Sequence, residues 1–258
     1  MIPRFDVLGV RVSAANLPMA VTEIGGWIER GERHYVCVTG VHGVMESQHD
    51  DELRGIHNAA GLTTADGMPM VWAGRWAGLR QTDRVYGPDL MLALCARAAE
   101  RGWTSYFYGG GDGTAGLLAR RLRTRFAGLR VVGTEAPPFR PLTGTEDEAV
   151  VEAINNAAPD ILWVGLGTPK QERWMASHID RLRTHAVIGV GAAFDINAGL
   201  LPQAPRWIQR SGLEWAFRLA IEPRRLWRRY LANNPRFVVA LARRPPRPAN
   251  APPDAVEG

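Results

Sequence analysis

Four short runs in this chain put acids, glycines or the lone lysine directly after apolar, β-branched stretches. In Thr63-Thr64-Ala65-Asp66-Gly67-Met68-Pro69, a carboxylate follows what reads as a strand and precedes a turn at Asp66-Gly67. A carboxylate in that position can act as general base for a hydroxyl nucleophile; it can equally cap the next helix. In Tyr108-Gly109-Gly110-Gly111-Asp112-Gly113-Thr114, glycines separate a strand from a helix. They allow a diphosphate to approach the backbone and the helix N–H groups, or they serve only as a tight turn. Gly111, Gly113 and Gly116 also match the spacing G-x-G-x-x-G, with Glu135 placed to meet a ribose, which would suit a nicotinamide-dependent oxidoreductase.

The third run is Gly165-Leu166-Gly167-Thr168-Pro169-Lys170-Gln171-Glu172. Lys170 and Gln171 can bind an anion or a sugar hydroxyl, or simply begin a helix whose dipole Glu172 favours. The fourth is Gly191-Ala192-Ala193-Phe194-Asp195, where Asp195 can accept hydrogen bonds from a nucleobase or hydroxyls, or stabilise its own loop. No D-x-D follows a strand to hold a metal on a diphosphate, and the six histidines show no metal-ligand spacing. We therefore expect no metal and no cofactor. His42, just after Thr39-Gly40, is the histidine best placed for a site, against the commoner reading of a structural or exposed side chain.

Charge points to the other end of the chain. The formal net charge is +5, yet residues 201–247 hold eleven arginines against Glu214 and Glu222 only. Lys170 is the sole lysine. If one helix continues through Pro223, then Arg218, Arg225 and Arg229 share a face, with Trp215, Trp227 and Tyr230 as apolar or interfacial anchors. Arginine beside tryptophan suits an anionic membrane surface or phosphate groups; the competing readings are a solvated helix face or nucleic acid.

The elements that must position these residues follow from periodicity. Short apolar runs near 35–39, 61–65, 105–109, 129–134, 161–165 and 186–190 alternate with helical patterns near 17–30, 41–60, 88–101, 114–126, 146–157 and 171–183. This predicts an α/β fold, a Rossmann-like and mostly parallel sheet with helices on both faces, with chemistry in the loops after the strands. After Gly199 the pattern is helical only, broken at Pro202, Pro205, Gly212 and Pro223. We expect an α/β catalytic domain over 1–199, a helical, arginine-rich, membrane-proximal appendage over 200–244 and a disordered tail over 245–258. Cys37 and Cys95 are too few for a disulfide framework, and no stretch approaches the roughly 20 apolar residues of a membrane span. With no secretory leader visible, the expectation is a cytoplasmic protein, peripheral on the inner face of the plasma membrane.

Taken in order, the segments Thr39, Ala65-Asp66-Gly67-Met68, Arg84-Val85-Tyr86-Gly87-Pro88-Asp89-Leu90, Phe107-Tyr108-Gly109-Gly110, residues 165–172, Phe194-Asp195 and Arg206-Trp207-Ile208-Gln209-Arg210-Ser211-Gly212-Leu213-Glu214-Trp215 resemble the WecG/TagA/CpsF glycosyltransferase family. Residues 222–230 look like that family's ending. The resemblance implies an inverting, metal-independent transferase moving sugar from a UDP-sugar to a polyprenyl-diphosphate-linked acceptor in cell-surface polysaccharide synthesis. It implies Asp66 as general base, supported by Thr39, Arg84 and Gln171, with Asp195 linked to the nucleobase. It places Arg218, Arg225 and Arg228 near the diphosphate, where Gly109, Gly110, Gly113 and Lys170 are the other candidates from the runs above. Many relatives carry Thr-Pro-Asn where this chain reads Thr39-Gly40-Val41-His42, so the donor sugar is either N-acetylmannosamine or a plain hexose such as glucose. The expected partners are the nucleotide sugar, the lipid-linked acceptor and an anionic membrane, without nucleic acid; self-association stays open. The rival functions are an NAD-dependent oxidoreductase and a non-enzymatic membrane or nucleic-acid adaptor.

Overall fold

The structure is a computed structural model and describes residues 2–249. The chain opens with β1 (Arg4–Val7), β2 (Val10–Ser13), α1 (Leu17–Arg30), β3 (His34–Thr39), α2 (Val41–Glu46), α3 (Asp51–Ala59), β4 (Leu62–Ala65) and α4 (Met68–Trp76). It continues through α5 (Gly87–Arg101), β5 (Thr104–Gly109), α6 (Thr114–Arg125), β6 (Arg130–Glu135), α7 (Gly144–Ala157), β7 (Ile161–Gly165), α8 (Lys170–His178), β8 (Ala186–Gly189) and α9 (Ala193–Asn197). It closes with α10 (Arg206–Ser211), α11 (Glu214–Ile221), α12 (Pro223–Arg243) and β9 (Arg247–Pro248). The fold is α/β as expected, with a six-stranded main sheet in the order β4-β3-β8-β7-β5-β6 and a small sheet β2-β1-β9. The described residues divide into two compact units, one of residues 2–16, 39–86 and 204–249, the other of 17–38 and 87–203. This is not the linear partition at residue 199 that composition suggested: the helical C-terminal segment belongs to the same unit as β4 and Asp66.

In the second unit, β3, β8, β7, β5 and β6 run parallel. Every residue of β5 and the first four of β7 are buried, the pattern of strands covered on both faces. Helix α1 forms because Ala20, Ile24, Trp27 and Ile28 fall on one side of a 3.6-residue turn, and that side is the buried one. Strand β6 alternates exposed and half-buried residues, as suits its place at the sheet edge. From β5 the chain crosses outward to β6, whereas from β7 it crosses the other way to β8. The carboxyl ends of β5 and β7 thus flank the point where the winding reverses, which is where open α/β sheets bind ligands.

In the first unit, β1 and β2 form an antiparallel hairpin that the helical and parallel-strand patterns above did not include. Its two-residue turn has positive φ at both Leu8 (55°) and Gly9 (91°), and the Asp6 carboxylate accepts from the Gly9 N–H at 3.0 Å. That backbone matches the twist of a tight hairpin. Phe5, Val7, Val10 and Val12 then pack with Val44, Ala65, Met70, Val71 and Phe237 into one core. Phe237 comes from α12, so the C-terminal helix shares the hydrophobic interior of this unit; burying such a side chain stabilises by about 1.5–3 kcal/mol.

Three local expectations change. The helix expected over 41–60 is two helices, because Asp50 caps the second, its carboxylate accepting from the Leu53 N–H at 2.9 Å. The segment after 205 does not run as one helix through Pro223: α11 ends at Ile221, its C-cap Glu222 has a φ of −125° and ψ of 57° that are not helical, and α12 restarts with Pro223 in its first turn. Within the expected tail, Arg247 and Pro248 pair with Asp6 and Phe5 as strand; the remainder from residue 250 lies outside the described residues.

Candidate functional site

Within the first unit, Asp66 stands where β4 ends, half-buried, with its backbone N–H donated to the Thr39 carbonyl at 2.9 Å. A β-carbon on Gly40 would lie 3.0 Å from the Asp66 carbonyl, so glycine lets the two strand ends approach. The N-cap of α4 is Gly67, at a φ of 92° that L side chains rarely adopt, and no side chain caps this helix. Around Asp66 the C-terminal segment supplies charge. Arg218 and Arg229, both half-buried, respond electrostatically to Asp66, as do Tyr86, Glu214 and Tyr230.

The shifts in this cluster follow from burial and from its mixed charges. Burial, then the nearby Glu214 and Asp66 carboxylates, push the Tyr86 hydroxyl up. Burial, together with Asp66, also raises Glu214, with Arg84 opposing. Burial lowers Arg229. Burial would lower Arg218 too, but Tyr230, Tyr86, Asp66 and Glu214 outweigh it and leave it raised. His42 sits at the edge of the cluster, where burial and then the Arg229 guanidinium push its imidazole down to about 3. Its Nδ1 lies 3.1 Å from the Asn233 amide of α12. Three buried polar atoms here, Thr39 Oγ1, Arg84 Nε and Arg229 Nε, have no hydrogen-bond partner among the described residues. Leaving such groups unmade is costly, and it is the condition expected of a site that completes its bonds on a ligand.

Arg84 differs from the other arginines. Its Nη1 donates to Gln209 Oε1 at 2.6 Å, its Nη2 is bonded to Glu214 Oε2, and its guanidinium lies 3.8 Å over the Tyr86 ring.

Within the second unit, the carboxyl ends of β5 and β7 are held against each other by glycine. The Gly110 N–H donates to the Gly165 carbonyl at 2.9 Å, and a β-carbon on Gly109 would lie 2.6 Å from the Gly165 backbone. The Phe194 ring fills the space beneath, within 2.7 Å of a β-carbon on Gly165. Helix α6 begins after Gly113, in left-handed conformation and without a side-chain cap. Helix α8 begins at the other side of the crevice with Lys170 exposed and Gln171 buried. The Gln171 amide is fixed at both ends, Oε1 accepting from the Gly167 N–H at 3.2 Å and Nε2 donating to Glu172 Oε1 at 3.1 Å. Asp195, half-buried in α9, follows Phe194. This crevice offers backbone N–H groups and small residues to a phosphate or a nucleoside.

A sequence profile described as the Glycosyl transferase WecG/TagA/CpsF family matches residues 5–251. The chain belongs to this family. It is accordingly a glycosyltransferase of cell-surface polysaccharide synthesis, a class using a nucleotide-sugar donor and a lipid-linked acceptor. As a member of the WecG/TagA/CpsF family, it keeps Thr39, Asp66, Arg84 and Arg218 in one unit, and Gly109, Gly110, Gly113, Lys170, Gln171 and Asp195 in the other. Arg225 and Arg228, expected near the diphosphate, lie on the exposed side of α12, and Arg225 acts electrostatically on Arg229. Arg225 pairs with Glu222 at 2.6 Å and Arg228 lies over the Trp227 ring. Glu214 and Tyr86 were given no role from sequence, and Arg229 and Tyr230 were named only in the arginine set of the C-terminal helices. The signal available was Glu214 in the same run as Trp207 and Trp215, and Tyr86 two residues after Arg84.

The dinucleotide spacing fares differently. A β-carbon on Gly116 would meet only the Arg120 side chain, at 3.7 Å, and one on Gly111 only Thr114 Oγ1 at 3.5 Å, so neither glycine is demanded by close packing. Glu135 is engaged by the Tyr106 hydroxyl at 3.1 Å. The glycines that packing does demand, Gly109 and Gly110, are not those of the fingerprint. Among the described residues, no group of three or more His, Cys, Asp or Glu side chains could hold a metal ion, and no helix is long and apolar enough to cross a membrane.

Proposed function

We propose that this protein transfers a sugar, with inversion and without a metal, from a UDP-sugar to a hydroxyl of a polyprenyl-diphosphate-linked acceptor. The observation that carries the reading is the half-buried Asp66 carboxylate in electrostatic contact with Arg218 and Arg229 in a single unit. Asp66 takes the proton of the acceptor hydroxyl while that oxygen attacks the anomeric carbon. The bond from that carbon to the β-phosphate oxygen breaks in the same step, and the electron pair leaves with the nucleoside diphosphate. Arg218 and Arg229 stabilise the charge that develops there, a role fixed cations perform without reorganising. Thr39 Oγ1, buried and unpartnered, donates to the acceptor. Within the second unit, the crevice at Gly109, Gly110 and Gly113, with Gln171, Lys170 and Asp195, is by itself suited to a phosphate or a nucleoside.

The membrane surface enters through the first unit's exterior. Trp72, Trp76, Trp207 and Trp227 are between 46% and 69% exposed, and Arg206, Arg210, Arg224 and Arg228 are also exposed, Arg228 over the Trp227 ring. Exposed indole with arginine suits an anionic interface, and we place the protein there as a peripheral enzyme on the cytoplasmic face. The test is sugar transfer by the purified protein in EDTA, from a panel of UDP-sugars to a vesicle-embedded polyprenyl-diphosphate sugar, read by mass spectrometry. Asp66→Asn is expected to abolish turnover and to retain UDP affinity. Undiminished turnover in Asp66→Asn would remove the proposed base, and activity only with added divalent ion would overturn the metal-free step.

A further inference from the structure

We propose that Arg84 is a positioning residue that acts through Glu214, the two side chains forming a clasp that holds α11 with Arg218 turned to Asp66. This rests on the reaction proposed above. An arginine that receives phosphate or carboxylate does so with a fork of parallel N–H groups. In Arg84 both terminal nitrogens are already engaged by the C-terminal segment, Nη1 on Gln209 Oε1 and Nη2 on Glu214 Oε2. One guanidinium face is covered by the Tyr86 ring, and the side chain is 9% exposed, its partner Glu214 15%. Both terminal nitrogens are therefore committed to protein, and only the buried Nε has no partner among the described residues.

The geometry downstream of the clasp explains its use. Glu214 is the first residue of α11, and Arg218 lies one turn later, at the i+4 position that shares its face. The Tyr86 hydroxyl acts electrostatically on the same Glu214 carboxylate while its ring lies under the Arg84 guanidinium, so one short segment meets the start of α11 twice. Arg218 in turn responds to Tyr86, Asp66 and Glu214. No side chain caps α11, and none of its residues is fully buried. With so little apolar anchorage, the direction of this helix depends on the polar contacts at its first turn. A displacement of about 1 Å in a charge-stabilising group can cost on the order of 100-fold in rate, so a clasp remote from the substrate is enough to control turnover.

The experiment is a double-mutant cycle on the full chain with Arg84→Gln, Glu214→Gln and the double variant, measuring kcat, KM for the donor, UDP affinity and backbone hydrogen exchange over residues 214–221. Each single variant is expected to lower kcat by on the order of 100-fold with little change in KM and to speed exchange in 214–221. The double variant is expected to be no worse than the poorer single, and Glu214→Asp to recover part of the loss. Glu214→Gln with wild-type kcat beside an inactive Arg84→Gln would show that Arg84 touches substrate, and would overturn the proposal. So would additive losses, or a Glu214→Gln variant faster than wild type, which would make Glu214 a plug on Arg84. If the wild-type protein transfers no sugar from any donor, the reaction assigned above fails. The clasp is then judged by exchange alone: unchanged protection of 214–221 in both single variants refutes it.

Discussion

His42 offers a quantitative check on the electrostatics of the Asp66 cluster. Its imidazole is pushed from 6.5 down to about 3, chiefly because burial disfavours the charged ring and secondarily because Arg229 repels a second positive charge. The native state thus refuses a proton that the unfolded chain accepts. Stability from this group is complete above about pH 6.5 and is lost as pH falls towards 3, since the unfolded state binds more protons over that window. Each pH unit inside the window is worth about 1.4 kcal/mol, so a drop to about pH 5 removes about 2 kcal/mol. The side chain is only 16% exposed, but Glu46 Oε1 lies 3.4 Å from its Nδ1 and opposes the shift, so about 2 kcal/mol is the upper figure. His42→Gln removes the titrating group. Urea unfolding of wild type and variant, followed by tryptophan fluorescence at about pH 7 and about pH 5, isolates the term from all other titrating groups. Wild type should lose up to about 2 kcal/mol more than the variant between the two conditions. Equal losses would refute the reasoning, because they would mean that the imidazole protonates as readily in the folded protein as in the unfolded chain.

Three further outcomes follow from particular contacts. Gly165→Ala drives a β-carbon to 2.7 Å from the Phe194 ring, itself packed edge-on against Phe107, and should destabilise the protein by about 1–3 kcal/mol in urea unfolding. Thr143→Ala removes the N-cap of α7, where the Thr143 hydroxyl and the Glu146 carboxylate bond each other's backbone N–H; a loss of about 1 kcal/mol is expected. Serine at both Trp76 and Trp207 should weaken retention on vesicles containing anionic lipid while leaving UDP affinity unchanged; retention equal to wild type would move the membrane-facing surface elsewhere.

Much of the architecture was legible because its signals are local. The runs at 161–165 and 186–190 are apolar and bounded by glycine, and they became β7 and β8 almost residue for residue. The β1–β2 hairpin was passed over although Phe5, Val7, Val10 and Val12 alternate around Gly9. A pair of four-residue strands carries too short a period to stand out beside the helical pattern that follows. The helix expected across 41–60 failed at a polar cap, where Asp50 offered the backbone a new start.

By itself, the sequence determined the fold class, the carboxylate at the end of β4, the glycines at the end of β5 and the basic character of the last helices. Each of these depends on residue type and on neighbours within one turn or one strand. Only the tertiary structure decided that the C-terminal helices belong with Asp66, that Arg218 and Arg229 act on it together, and that Arg84 bonds Glu214. Those outcomes turn on contacts between residues distant in the chain, 130 positions apart for Arg84 and Glu214. Periodicity cannot encode them, because the direction of a short helix with no fully buried residue is set by which distant partners it meets.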